Sequence, residues 1–145
     1  MKRRTVAALS AAIGLASGTW ALAQPMSKAD YLVARNNIVS DFKGARTGCE
    51  PMLGDVNDLC LVDVAGREAI ALAELEAAYL PSVRTLHDAH IAKAQAGYAL
   101  ALRKCHYTAA TAKDACLRDA EASHVAARAD PEVQAKATAI NAGKR

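Results

Sequence analysis

An all-α fold of two tandem antiparallel helical hairpins follows from three observations in the sequence. Cys49 to Cys60, CEPMLGDVNDLC, returns 56 residues later as Cys105 to Cys116, CHYTAATAKDAC, with the same ten-residue gap between the cysteines. The segment before each first cysteine carries apolar residues at spacings of three and four, the period of a helix with one covered face. Alanine supplies 28 of the residues from Gln24 onward, which favours long helices but offers little apolar area per turn. The predicted organisation is a signal peptide over 1–23, a first hairpin over 24–81, a second over 82–132, and a short helix or mobile tail over 133–145.

The first segment has basic Lys2, Arg3 and Arg4, a run without charge from Thr5 through Leu22, and the ending Ala21-Leu22-Ala23. These are the three parts of a Sec-type signal peptide, cut before Gln24. The rival, an uncleaved membrane anchor, is disfavoured by Ser10, Gly14, Ser17, Gly18 and Thr19, which dilute the apolar run. Cleavage removes three of the 18 Lys and Arg and none of the 15 Asp and Glu, so the mature chain balances at 15 against 15. Interspersed charge of zero net sign gives neither the basic stripe of a nucleic-acid binder nor the basic face of a peripheral membrane helix. The expected location is the periplasm, with no membrane span after cleavage and no nucleic-acid partner.

From Ser27 to Gly48, the stripe Tyr31, Ala34, Ile38, Phe42, Ala45 and Cys49 predicts the first helix, with Ser27 or Asp30 as its cap and Gly48 as its stop. Pro51, Gly54, Asp55 and Asn57 break the chain, and Asp55 with Asp58 three residues on resembles a cap with an acid in the first turn. Leu61, Val64, Ala65, Leu72, Leu75 and Tyr79 then form one face of a second helix. His87, His90, Ala94, Tyr98, Ala101 and Cys105 repeat the first stripe, and Thr111 with Asp114 repeats the start of the second helix. At the join, Leu80-Pro81-Ser82, proline removes an amide donor and disfavours helical geometry at Leu80. With no glycine-rich linker, the expected outcome is one Pro-kinked central helix from about Leu61 to about Leu102, and the rival is a full reversal giving a compact four-helix bundle.

An oxidising compartment and an even cysteine count favour disulfides over metal or redox sites. Cys49 with Cys60 and Cys105 with Cys116 is the favoured pairing, because each copy then carries its own closure. The rival pairs Cys49 with Cys116 and Cys60 with Cys105, as twin Cys-x9-Cys helical hairpins do. His87 and His90, three apart on a helix, are the weak candidates for metal, but a third ligand is missing and packing is the stronger reading. His106 lies in the second loop, and His124 aligns with Glu68 in a polar layer able to set helix register. There is no nucleophile elbow, Cys-x-x-Cys or phosphate-cradling glycine loop, so no catalytic or cofactor-binding residue is assigned.

The order of Met26-Ser27-Lys28-Ala29-Asp30-Tyr31, a cysteine pair ending Asp58-Leu59-Cys60, Ala73-Glu74-Leu75-Glu76-Ala77 and Tyr79-Leu80-Pro81-Ser82 resembles a group of small Ala-rich secreted proteins of Gram-negative, particularly beta-proteobacterial, type. Members are sometimes labelled TolA-like or cell-envelope biogenesis proteins. The resemblance implies no catalytic residue, and the chain departs from the group at Arg35, Asn36, Asn37 and Ile38, where Lys and Ala tend to alternate. The expected function is non-enzymatic: binding an envelope component or self-association. A periplasmic holdase-type chaperone is the alternative, ahead of a metal-binding protein using His87 and His90.

Overall fold

The computed structural model describes residues 25–129 and 131–143, and the 1–23 segment lies outside them. Five helices follow one another: α1 (Lys28–Cys49), α2 (Gly54–Tyr79), α3 (Val83–His106), α4 (Ala110–Arg128) and α5 (Pro131–Ala142), with no strand among the described residues. Ser27 opens α1, its Oγ accepting the Asp30 N–H at 3.1 Å. Gly48 does not stop the helix as its composition suggests. An exposed glycine can stay in right-handed geometry, and the chain turns only after Cys49, with Gly54 (φ 60) the one described residue in the left-handed region.

Residue pairs fix the direction of each helix. Tyr31 stacks on Tyr79 with centroids 4.4 Å apart, Arg46 pairs with Glu68, and Cys49 is bonded to Cys60, so α1 and α2 run antiparallel. Glu74 meets Lys93 at 2.6 Å and Asp58 meets Arg103 at 3.5 Å, so α2 and α3 are antiparallel too. Tyr98 with His124 and Cys105 with Cys116 show the same for α3 and α4.

The central helix is therefore not a kinked rod, and the expected Pro81 kink is corrected to a reversal. Leu80 leaves the helix at φ −123, ψ 74 after its N–H bonds to the Glu76 carbonyl. Ser82, extended at φ −151, ψ 162, starts a new helix with a capping box. The Thr85 N–H donates to Ser82 Oγ at 3.1 Å, the Ser82 N–H donates to Thr85 Oγ1 at 3.0 Å, and the Thr85 hydroxyl reaches the Leu80 carbonyl at 2.8 Å. Proline ends one helix, but the Ser82–Thr85 box aims the next one back.

The reversal does not close a four-helix bundle either. Among the described residues α1 packs on α2 alone and α4 on α3 alone, with α5 also on α3, which leaves a layer of helices open at both edges. The 133–145 segment thus contributes part of a helix docked on α3 rather than only a tail. Of the α1 stripe, Tyr31, Ala34, Ile38 and Phe42 are half-buried and Cys49 is buried, while Ala45 is exposed. On α2, Val64 and Leu75 are buried and Tyr79 is half-buried, but Leu61 and Ala65 face solvent. Two neighbours flank α2, so its covered surface is wider than one stripe and is centred elsewhere.

The core is thin. Among the described residues the buried apolar ones are Cys49, Val64, Leu75, Ala77, Ala89, Ala94, Cys105 and Ala120, of which Val64 and Leu75 have the larger aliphatic side chains. Each of those contributes on the order of 1.5–3 kcal/mol. Close backbone approach supplies the rest: a Cβ added at Gly66 would sit 2.9 Å from Ala96 Cβ, at the α2/α3 seam. Gly66→Ala should therefore cost about 1–3 kcal/mol in urea unfolding. Gly97→Ala, where a Cβ meets nothing within 4 Å, should stabilise by up to about 1 kcal/mol. Equal effects of the two substitutions would contradict this seam.

Candidate functional site

Because α2 descends and α3 returns, the two cysteine pairs meet at one end of the layer. In the first loop the Met52 N–H returns to the Cys49 carbonyl at 2.9 Å, and Asn57 Nδ2 donates to the same carbonyl at 2.7 Å. Cys49 is bonded to Cys60 and Cys105 to Cys116, with Cα separations of 5.7 and 5.5 Å, and neither rival cross-pair forms. In the second loop the Thr108 N–H returns to the Cys105 carbonyl at 3.2 Å, and the Thr108 hydroxyl to the Lys104 carbonyl at 3.2 Å.

The acids expected to cap α2 do something else. Asp55 Oδ1 accepts only the adjacent Val56 N–H at 3.1 Å, and the cap position is held by Leu53 without a side-chain bond. Asp58 turns across the seam instead, accepting the Tyr107 hydroxyl at 2.5 Å and facing Arg103 Nη1 at 3.5 Å. Thr111 and Asp114 do not cap α4, whose cap position is Ala109. One carboxylate thus ties the two disulfide-closed loops side by side. It also holds the Tyr107 phenol above its ordinary pKa of 10.0, through the hydrogen bond first. Glu76 raises Tyr31 and Glu121 raises Tyr98 in the same way.

This end exposes apolar side chains. Leu53 is 84% and Val56 57% exposed, with Met52 and Tyr107 beside them partly uncovered. The segment that carries them is pinned by the Cys49–Cys60 disulfide and by the Asn57 hydrogen bond to the Cys49 carbonyl.

The histidines do not converge. His87 is exposed with Nδ1 3.9 Å from Asp88 Oδ1, whereas His90 is half-buried with an unpartnered Nε2. The two therefore do not share the apolar stripe, because His87 lies where α3 begins, at the solvent edge. Among the described residues no group of three or more His, Cys, Asp or Glu could hold a metal ion. His106 sits edge-on to Tyr107 at 5.2 Å. The expected polar layer separates into two arrangements: Glu68 pairs with Arg46, while His124 stacks flat on Tyr98 at 4.3 Å, its Nε2 unpartnered. Leu102 stands 56 residues after Arg46, so the second site has no cation for an acid to meet.

A cleft of about 230 Å³ opens between α3 and α4 beside Tyr98, Ser123 and His124, and one of about 530 Å³ lies at the Pro81 turn beside Glu76, Arg84 and Asp88. Neither brings a serine hydroxyl within hydrogen-bonding distance of a histidine among the described residues. No described helix is long and apolar enough to cross a membrane. No family model, curated protein or solved structure matches the chain.

Two predictions follow from this geometry. Replacing Cys49 and Cys60 together by serine should lower stability by about 3 kcal/mol, as closure of a loop of this length implies, with the helices retained by circular dichroism. The raised Tyr107 pKa means that its contribution to stability is fully present below the unfolded value near 10 and is lost as pH rises through the higher folded value. The stability gap between wild type and Tyr107→Phe should therefore close on the alkaline side and stay constant through neutral pH; a gap independent of alkaline pH would contradict the Asp58 bond.

Proposed function

We propose that the chain is a non-enzymatic periplasmic protein that binds within the cell envelope through the disulfide-closed end of its helical layer. The observation that carries the reading is the exposed Met52, Leu53 and Val56 ridge, held on a loop closed by Cys49–Cys60 and braced to the second loop by Asp58. Disulfides suit an oxidising compartment, and the Lys2 to Ala23 pattern suits export. The absence of a nucleophile elbow or redox motif in the sequence favours binding over catalysis.

The same reading treats the architecture as a tandem duplication of a disulfide-closed hairpin, first copy 24–81 and second copy 82–132. Helices α2 and α4 begin at Gly54 and Ala110, 56 residues apart, and the equivalent residues Val64 and Ala120 are both buried. A holdase is the second reading, favoured by Leu32, Val33 and Val39, which lie exposed along α1 with no helix over them. A photo-crosslinking residue at position 53, compared with one at Arg84 at the other end of α3, separates the two. Discrete adducts with one envelope protein or with the chain itself, from position 53 alone, are the expected result. A smear of many clients from both positions would favour the holdase, and no adduct from position 53 would overturn binding at this end.

A further inference from the structure

We infer that the disulfide-closed end is self-complementary and that its partner is a second copy of this chain, docked end to end about a two-fold axis. This rests on the binding reading above and names the occupant of that surface. The two loops differ in a way that makes each the counterpart of the other. The first presents large apolar side chains, Met52, Leu53 and Val56, and the second presents an exposed shelf of small ones, Ala109, Ala110 and Ala112. Charge follows the same division. Between Cys49 and Cys60 there are acids and no Lys or Arg, with Glu50 and Asp55 exposed and outside any ion pair. At the second loop exposed Lys104, just before Cys105, and half-buried Lys113 have no ion-pair partner, Asp114 is the one acid between Cys105 and Cys116, and His106 is exposed.

The molecule already joins an acid between the first two cysteines to a base of α3 just before the second loop, since Asp58 meets Arg103 across the seam. What remains turned outward is the same pattern without its partner. A two-fold axis lying in the contact plane, perpendicular to the line joining the loops, places each first loop on the partner's second loop. Both ridges then meet alanine shelves and both acidic edges meet lysines, an isologous contact that closes at two copies. A partner of uniform sign would match only one half of this end. The patch is small, so the pair should be weak and salt-sensitive.

Sedimentation velocity of the mature oxidised chain over a concentration series, at low and at about 0.5 M salt, reads this directly. The expected result is concentration-dependent dimer at low salt that dissociates at high salt. Glu50→Lys with Asp55→Lys, and separately Lys104→Glu with Lys113→Glu, should each weaken self-association by at least about tenfold. Mixed one to one, the two variants should recover a dimer, because each then carries loops of one sign that match the other's. Leu53→Ser, which leaves the charges and the helix content unchanged, should also weaken the dimer and guards against a charge variant that fails to fold. A wild-type chain that stays monomeric at every concentration, or a dimer unaffected by all three changes, overturns the inference. A monomer that still cross-links from position 53 to one envelope protein overturns the self-pairing while leaving the binding reading standing.

Discussion

The constraint behind this structure is the shortage of large buried side chains in helices where alanine is the commonest residue. Among the described residues, the side chains with less than 2% of their surface exposed are Cys49 and Cys105, one half of each disulfide. In most helical domains that position belongs to leucine or phenylalanine, whose burial offsets chain entropy. Here covalent closure acts on the unfolded chain instead, on the order of 3 kcal/mol per loop, and leaves the helix faces free to stay small. The layer also stays open, with Leu32, Val33 and Val39 of α1 exposed where no described helix covers them.

The α2/α3 seam is the consequence with most influence on shape. Small residues allow backbones to approach until a single added methyl group at Gly66 would collide with Ala96, and three polar ties spaced along the helices hold the register: Glu74–Lys93 near the turn and Asp58 with Arg103 and Tyr107 at the far end. The turn itself depends on a local device, the Ser82–Thr85 box, rather than on packing. Once the chain reverses there, the two cysteine loops have no choice but to lie together, and Asp58 has a partner.

Much of this was legible in the sequence because it rests on spacing. The Cys-x10-Cys stretches mark where helices break, the three-and-four period placed Tyr31, Ile38 and Phe42 toward a neighbour, and Ser27, one of the two caps expected with Asp30, holds that position. What was not legible depends on direction or on a third element. Proline at position 81 signals interruption in a kink and in a reversal alike, and the deciding signal, Ser82 followed by Thr85, is a capping box with threonine in the place usually held by Glu or Gln. Asp58 has the spacing of a helix-cap partner, and only the return of α3 shows that Tyr107 and Arg103 claim it. The histidines misled for a related reason: a helical stripe does not reveal where the covering helix starts, and His87 lies just outside that cover.

The two cysteine-closed units also diverge where their surroundings diverge. Arg46 and Glu68 form an ion pair between α1 and α2, whereas the residues 56 positions on are Leu102 and His124, and His124 stacks on Tyr98. Val33 on α1 is 60% exposed, while Ala89, 56 residues on in α3, is buried, and α3 packs on more described helices than α1 does. Position in the layer, and not the shared pattern, decides these residues. The loops obey the same logic from the other direction: packing asks nothing of Leu53 or of Ala109, 56 residues on, yet one is large and the other small, and the first loop carries acids without a Lys or Arg while the second sets Lys113 beside Asp114. A difference of that kind between exposed positions is not set by packing within the chain, and it supports the proposed binding at the disulfide-closed end over the clefts between helices.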